Sequence, residues 1–242
     1  TAKGRKKAGM YLLEGEHLVE EAIKEKAPIS LIVVTSNRLE EFQYLLSQTD
    51  VQVLVVSQDV FHKLSMTETA QGIIAVVEIV KQETLPHCGR MIILDAVQDP
   101  GNLGTIIRIA DWFGIEHIFC SHETVDAYSP KVIQATMGSI NRVKIHYVNL
   151  SILLAQLPSE YPVYGTLLDG KDIYQQPLTH NGLIIMGNEG NGISQEIRSK
   201  INRKLFIPNF PEGRKTTDSL NVAIATAVTC AEFRRQSLRT NL

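Results

Sequence analysis

The chain of 242 residues has only three cysteines, Cys88, Cys120 and Cys230, far apart and with no Cys-x-x-Cys pair. That excludes a disulfide scaffold. No apolar run approaches the roughly 18 residues that a membrane-spanning helix needs. The basic start, Arg5-Lys6-Lys7, leads into a mixed segment and lacks the apolar core of a signal peptide. The expected compartment is the cytoplasm. Charge of one sign is also missing: 24 Lys and Arg against 26 Asp and Glu leave a net −2, so no global field favours a phosphate backbone. Local basic clusters remain at Arg5-Lys6-Lys7, Lys131, Arg142 with Lys144, Arg203-Lys204 and Arg214-Lys215. Taken singly, each reads better as a solvated face. There is no internal repeat, no low-complexity tract, no His-Glu-x-x-His and no Gly-x-Ser-x-Gly elbow. What is present, 44% hydrophobic and 21% charged residues, fits an ordinary globular protein of one large or two modest domains.

Hydrophobic periodicity divides the chain into two α/β regions. Residues 9–27 carry apolar positions at mixed helical spacing, with Glu14, Glu16, Glu20 and Glu21 expected outward. Strands are predicted over 30–35, 51–56 and 72–80, with a helix over 38–46. Residues 81–89, rich in charge with Pro86 and Gly89, read as a linker. Beyond it, strands are predicted over 91–94, 118–120, 143–148, 163–167, 183–186 and 204–207. They alternate with helices over 102–113, 131–137, 150–157, 194–201 and 219–236. Such alternation argues a mostly parallel sheet flanked by helices. The predicted domains are therefore 1–80 and 90–242, joined by 81–89.

Three segments put polar side chains where a strand-like run meets a helix-like one, the place where open α/β sheets bind ligands. In Asp99-Pro100-Gly101-Asn102-Leu103-Gly104, Asn102 is a candidate helix cap, and Arg108 lies about 1.7 turns on. By spacing alone, this is a capping Asn and a surface Arg. In Gly187-Asn188-Glu189-Gly190-Asn191-Gly192 the glycines suit a tight turn. Their spacing is not that of a dinucleotide fingerprint, and a turn does not explain Glu189. Ser219-Leu220-Asn221-Val222-Ala223 opens a helix rich in small residues, with Ser219 as the expected cap. The stretch from His117 to His122 has metal-ligand residue types. Strand alternation, however, sends Cys120 and His122 to one face and His117 to the other, so no metal site is expected.

Together and in this order, the three segments resemble motifs 1 to 3 of the SpoU (TrmH-type) family of the SPOUT class, RNA ribose 2′-O-methyltransferases. Asn102, Gly104 and Arg108 match motif 1, Gly187, Glu189 and Gly192 match motif 2, and Ser219 with Asn221 match motif 3. The loop 209–218 is about four residues longer than that family's shorter pattern. Residues 5–15 and 64–73 resemble an RNA-recognition domain of the kink-turn-binding ribosomal-protein type.

The resemblance implies a C-terminal SPOUT α/β-knot domain, with a deep trefoil knot, behind a small α/β RNA-recognition domain. It implies S-adenosylmethionine as cofactor, a homodimer packed through the C-terminal domain, and a structured RNA substrate, ribosomal RNA ahead of transfer RNA. It further implies Arg108, Asn102, Glu189, Ser219 and Asn221 as catalytic residues. Thr166, Leu167, Gly187, Asn188, Gly190, Ile207 and Leu220 would form the cofactor edge. Arg5, Lys6, Lys7, Thr67, Gln71, Lys131 and Arg142 would be RNA contacts. A transfer RNA enzyme, an antibiotic-resistance member that modifies one ribosomal nucleotide, and a non-catalytic RNA-binding protein keeping the fold are the alternatives.

Overall fold

A computed structural model describes residues 1–67, 69–80, 89–211 and 214–239. Contacts divide the chain into two compact units, one of Thr1–Lys81 with Asp126–Arg142, the other of Gln82–Val125 with Val143–Leu242. Residues 81–88 of the expected linker lie outside the described residues.

In the first unit, helix α1 (Ala2–Ala8) precedes strand β1 (Met10–Glu14), helix α2 (Glu16–Lys24) and strand β2 (Ile29–Thr35). Helix α3 (Gln43–Leu46), strand β3 (Val53–Val56), helix α4 (Gln58–Leu64) and strand β4 (Ile73–Glu78) follow. The sheet order is β1-β4-β2-β3, with only the β2–β3 pair parallel. The helical spacing expected from residue 9 onward is corrected here. Residues 10–14 are a strand paired antiparallel with β4, and Gly15, at φ 110°, turns the path before α2 begins. Both α1 and α4 escaped the periodicity reading, since each is only seven residues long. The helix predicted over 38–46 shrinks to a 3-10 turn, Ser36–Arg38, and α3. Val33, Phe61 and Ile74 form the core on one sheet face.

The segment 126–142 carries α6 (Pro130–Thr136) and belongs to this unit by its contacts, although it falls between two strands of the other. Arg5 pairs with Asp126 at 2.7 Å, Arg142 with Glu21 at 2.9 Å and with Glu25 at 3.1 Å. The Tyr11 and Tyr128 rings lie 4.9 Å apart.

The second unit holds strands β5 (Arg90–Leu94), β6 (His117–Cys120), β7 (Lys144–Tyr147), β8 (Val163–Asp172), β9 (Gly182–Met186) and β10 (Arg203–Phe206). Its helices are α5 (Pro100–Trp112), α7 (Leu150–Ala155), α8 (Gln195–Arg198) and α9 (Val222–Arg239). All adjacent strands are parallel, in the order β10-β8-β9-β5-β6-β7. Met91, Ile93, Leu183 and Ile185 point into one core with Phe119 and Leu154. Ile92, Leu94 and Ile184 are buried on the opposite face, where Tyr164 meets Phe233 of α9 edge-on at 4.9 Å. A sheet covered on both faces reads as continuous apolar runs, which is why these strands were legible. The helix expected over 194–201 contracts to α8.

Candidate active site

The C-terminal ends of β5 and β9 lie side by side in the sheet, and two loops meet there. The backbone N–H of Asp95 donates to the Met186 carbonyl at 2.9 Å, and the Ser194 N–H donates to Asp95 Oδ2 at 2.7 Å. Ala96 holds a left-handed conformation, φ 57°, a costly one for a residue with a Cβ. It is held from both sides: its N–H donates to Ser121 Oγ at 3.0 Å, and its carbonyl accepts from Asn188 Nδ2 at 2.7 Å.

The Glu189 carboxylate sits at the centre. Oε1 accepts from the Asp99 N–H and from Asn102 Nδ2, both at 3.0 Å, while Oε2 accepts from the Gln98 N–H at 3.2 Å. Burial works against the charge, but the donors, Asn102 foremost, outweigh it and hold the carboxyl below the usual glutamate value. Asn102 is occupied on its other side too, since Asn221 Nδ2 donates to its Oδ1 at 2.9 Å. A single hydrogen-bonded chain thus runs Asn221–Asn102–Glu189 and ties the three segments together.

Two capping expectations are corrected. Asp99, not Asn102, caps α5, accepting the Asn102 N–H at 2.8 Å. Pro100 at the first helical position favours a cap just before it. Asn221, not Ser219, caps α9, accepting from the Ala223 N–H at 2.9 Å and the Ile224 N–H at 3.3 Å. Ser219 lies exposed two residues ahead. Arg108 is exposed and has no hydrogen-bond partner among the described residues. It lies about 9 Å along α5 from Asn102.

The next strands complete the rim. β10 pairs with β8 in two stretches, Arg203 and Lys204 opposite Tyr164 and Gly165, then Leu205 and Phe206 opposite Lys171 and Asp172. Residues 166–170 therefore swing out of the ladder. Gly170 has no room for a side chain there, because a Cβ would lie 2.4 Å from the Leu205 carbonyl carbon. Thr166 reaches back to Met186 Sδ at 3.4 Å. Leu167 and Ile207 are half-buried and Leu220 is exposed. Gly187 is equally confined, with a Cβ 2.3 Å from Gly192 C. Asn188 spends its Oδ1 on the N–H groups of Gly190 and Asn191, each at 2.9 Å, so this side chain shapes the loop. Sequence reading missed Asp95, Asp99 and Ser121, although Asp99 before Pro100 carried a signal.

The basic residues divide into two groups. Arg5 and Arg142 are neutralised by Asp126 and by Glu21 with Glu25 within the first unit. Lys6, Lys7 and Lys131 are exposed. The Thr67 hydroxyl lies 2.8 Å from Glu14 Oε1 and 2.9 Å from the Thr69 carbonyl. The Gln71 side chain lies over Gly15, where a Cβ would come within 2.4 Å of its Oε1, and its carbonyl accepts from Arg38.

Among the described residues, no three His, Cys, Asp or Glu side chains gather to hold a metal. His117 instead meets His146, Nδ1 to Nε2 at 2.9 Å. Burial above all, with His117 and Lys144 nearby, pulls His146 down to about 4. Among those residues also, no helix is long and apolar enough to cross a membrane.

Residues 89–231 match the SpoU rRNA Methylase family. The chain belongs to that family. Residues 1–75 match the MRM3-like substrate binding domain. RlmP of Bacillus subtilis (strain 168), a 23S rRNA (guanosine(2553)-2′-O)-methyltransferase, is 35% identical over 94% of this chain and 90% of its own length. A TrmH-family protein from Porphyromonas gingivalis superposes with a TM-score of 0.87 at 36% identity, over 98% of this chain and 94% of that one. An AdoMet-bound rRNA methyltransferase from Sinorhizobium meliloti gives 0.83 at 29% identity, over 97% and 90%. The SpoU resemblance read from the three motifs is thereby met, as is the α/β architecture with a parallel C-terminal sheet.

Proposed function

We propose that this SpoU-family chain transfers a methyl group from S-adenosylmethionine to the 2′-hydroxyl of a guanosine ribose in 23S rRNA. The observation that carries the reading is the hydrogen-bonded chain Asn221–Asn102–Glu189, which draws all three motifs to one end of a parallel sheet.

The residues present fit the cofactor. Loops after four adjacent strands, β10, β8, β9 and β5, border the site. They offer the main chain of the loop 187–192, apolar surface at Leu167, Ile207 and Leu220, and the Glu189 carboxylate, whose donors favour its charged form. Main-chain groups and apolar side chains suit a nucleoside base, and the anion of Glu189 suits a positive sulfur. When bound, S-adenosylmethionine supplies an electrophilic methyl on a sulfonium. Thr166, Leu167, Gly187, Gly190, Ile207 and Leu220 would hold it, with Asn188 fixing the loop. In that transfer the ribose 2′ oxygen would take the methyl group, S-adenosylhomocysteine would leave, and the hydroxyl proton would pass to solvent water.

Arg108 keeps its own proton, because a guanidinium is not deprotonated in proteins. Its role is to stabilise the developing alkoxide and the adjacent phosphate. Asn102, Glu189, Ser219 and Asn221 fix the geometry around it, where alignment contributes up to roughly 7–11 kcal/mol in ideal cases. The family likeness also supports the trefoil knot and a division between residues 1–80 and 90–242, from which segment 126–142 departs by its contacts. It carries a homodimer too, for which exposed Trp112, Leu168, Ile224 and Leu238 supply apolar surface. A ribosomal substrate assigns the activity to the cytoplasm.

Incubation with labelled S-adenosylmethionine and protein-free 23S rRNA, followed by mass mapping of ribose methylation, tests this. One 2′-O-methylated guanosine is expected, and Arg108→Ala should lose about 10²–10³-fold in rate while cofactor titration heats persist. Methylation of transfer RNA alone would reassign the substrate, and no heat with the cofactor would leave a non-catalytic RNA-binding protein.

A further inference from the structure

Glu14 ends β1 and is only 4% exposed, although its place among charged residues suggested an outward side chain. Its carboxylate faces the turn 65–67. Oε1 accepts from the Ser65 hydroxyl at 2.5 Å and lies 2.8 Å from the Thr67 hydroxyl, and Oε2 accepts from the Met66 N–H at 2.8 Å. The Thr67 N–H donates in turn to Ser65 Oγ at 3.3 Å. Even the Glu14 carbonyl is held, by Gln134 Nε2 at 2.8 Å. A buried carboxylate is costly unless fully hydrogen-bonded. Among the described residues, the donors to that carboxylate come from one short turn. The turn's outer side shows Met66, 51% exposed, a polarisable side chain suited to lie against a nucleobase.

We propose that Glu14 is a positioning residue for substrate RNA, holding turn 65–67 in the shape that meets the RNA with Met66 on its outer side. The inference rests on the RNA methyltransferase reading, and on the match of residues 1–75 to a substrate binding domain. A turn ordered before binding loses less freedom when RNA arrives. Loops on rigid supports are also where recognition concentrates.

The test compares Glu14→Ala, Glu14→Gln and Met66→Ala with the wild type. It reads KM for protein-free 23S rRNA, kcat at saturating RNA, cofactor affinity, melting temperature and direct RNA affinity. Glu14→Ala should raise the RNA KM about tenfold, with kcat and cofactor affinity within about twofold of wild type. Glu14→Gln keeps an acceptor toward the Met66 N–H and should recover most of that loss. Met66→Ala should raise KM with no change in melting temperature. The proposal is overturned if Glu14→Ala lowers only the melting temperature, or if KM, kcat and cofactor affinity all deteriorate together. It is equally overturned if Met66→Ala leaves KM unchanged. Should Glu14→Ala fail to fold, the Gln and Met66 variants decide. A wild type that binds this RNA without methylating it refutes the enzymatic reading, and the ratio of RNA affinities then decides the role of Glu14 separately.

Discussion

The Asn221 side chain donates to Asn102 Oδ1 at 2.9 Å, across 119 positions of sequence, while its own oxygen caps α9. One amide therefore starts the last helix and orients the residue that binds Glu189. Each half of that amide has a different task, so the two can be separated by substitution.

Asn221→Asp keeps an acceptor for the Ala223 and Ile224 N–H groups and adds charge favourable to a helix start, but it removes the donor to Asn102. Thermal melts should stay within about 3 °C of wild type, while methyl transfer falls about tenfold or more. Asn221→Ala should lose both functions, with about 1 kcal/mol of stability from the missing cap. Equal losses of stability in the two variants would contradict the separation.

Gly187→Ala would push a Cβ to 2.3 Å from Gly192 C and 2.4 Å from the Ile193 nitrogen. Neither backbone atom can swing aside as a flexible side chain would. The expected cost is roughly 1–3 kcal/mol of stability, together with weaker cofactor binding, read by denaturant melts and calorimetric titration. Gly192→Ala controls for the turn: no atom lies within 4 Å of its added Cβ, but its φ of +67° strains any side chain. It should affect stability more than cofactor affinity.

The His117–His146 contact makes a pH prediction of definite sign. His146 titrates near 6.5 when unfolded and at about 4 when folded, chiefly because it is buried. A depressed histidine favours the fold in its neutral form. Its contribution is fully present above pH 6.5 and is lost as pH falls from there toward 4. A displacement of that size corresponds to about 3 kcal/mol at most. Equilibrium unfolding should therefore show a constant gap between wild type and His146→Gln above pH 6.5, and a wild type that loses up to about 3 kcal/mol relative to the variant as pH falls toward 4. Parallel curves would show that this pair does not titrate with folding.

Lys131 and Arg142 should behave differently toward RNA. Lys131 is exposed, so Lys131→Ala should lower the slope of log affinity against log salt by about 0.7–0.9. Arg142 is spent on Glu21 and Glu25, so Arg142→Ala should leave the slope unchanged and cost up to about 1 kcal/mol of stability. Filter binding across a salt series distinguishes them.

Apolar runs such as Leu183–Met186, and polar residues at their ends, are local properties. The sequence by itself therefore determined the alternation of strands and helices and the three segments at their junctions. It did not place the caps correctly, because Asp99 and Asn102, like Ser219 and Asn221, are all competent capping residues a few positions apart. Only the folded backbone decides which one faces the free N–H groups. Nor could it show that Glu14 turns inward, that Arg5 and Arg142 find acidic partners, or that His117 faces His146. A long polar side chain is settled by whichever distant surface folding brings against it. Periodicity records the face a residue occupies and carries nothing about what that face will meet.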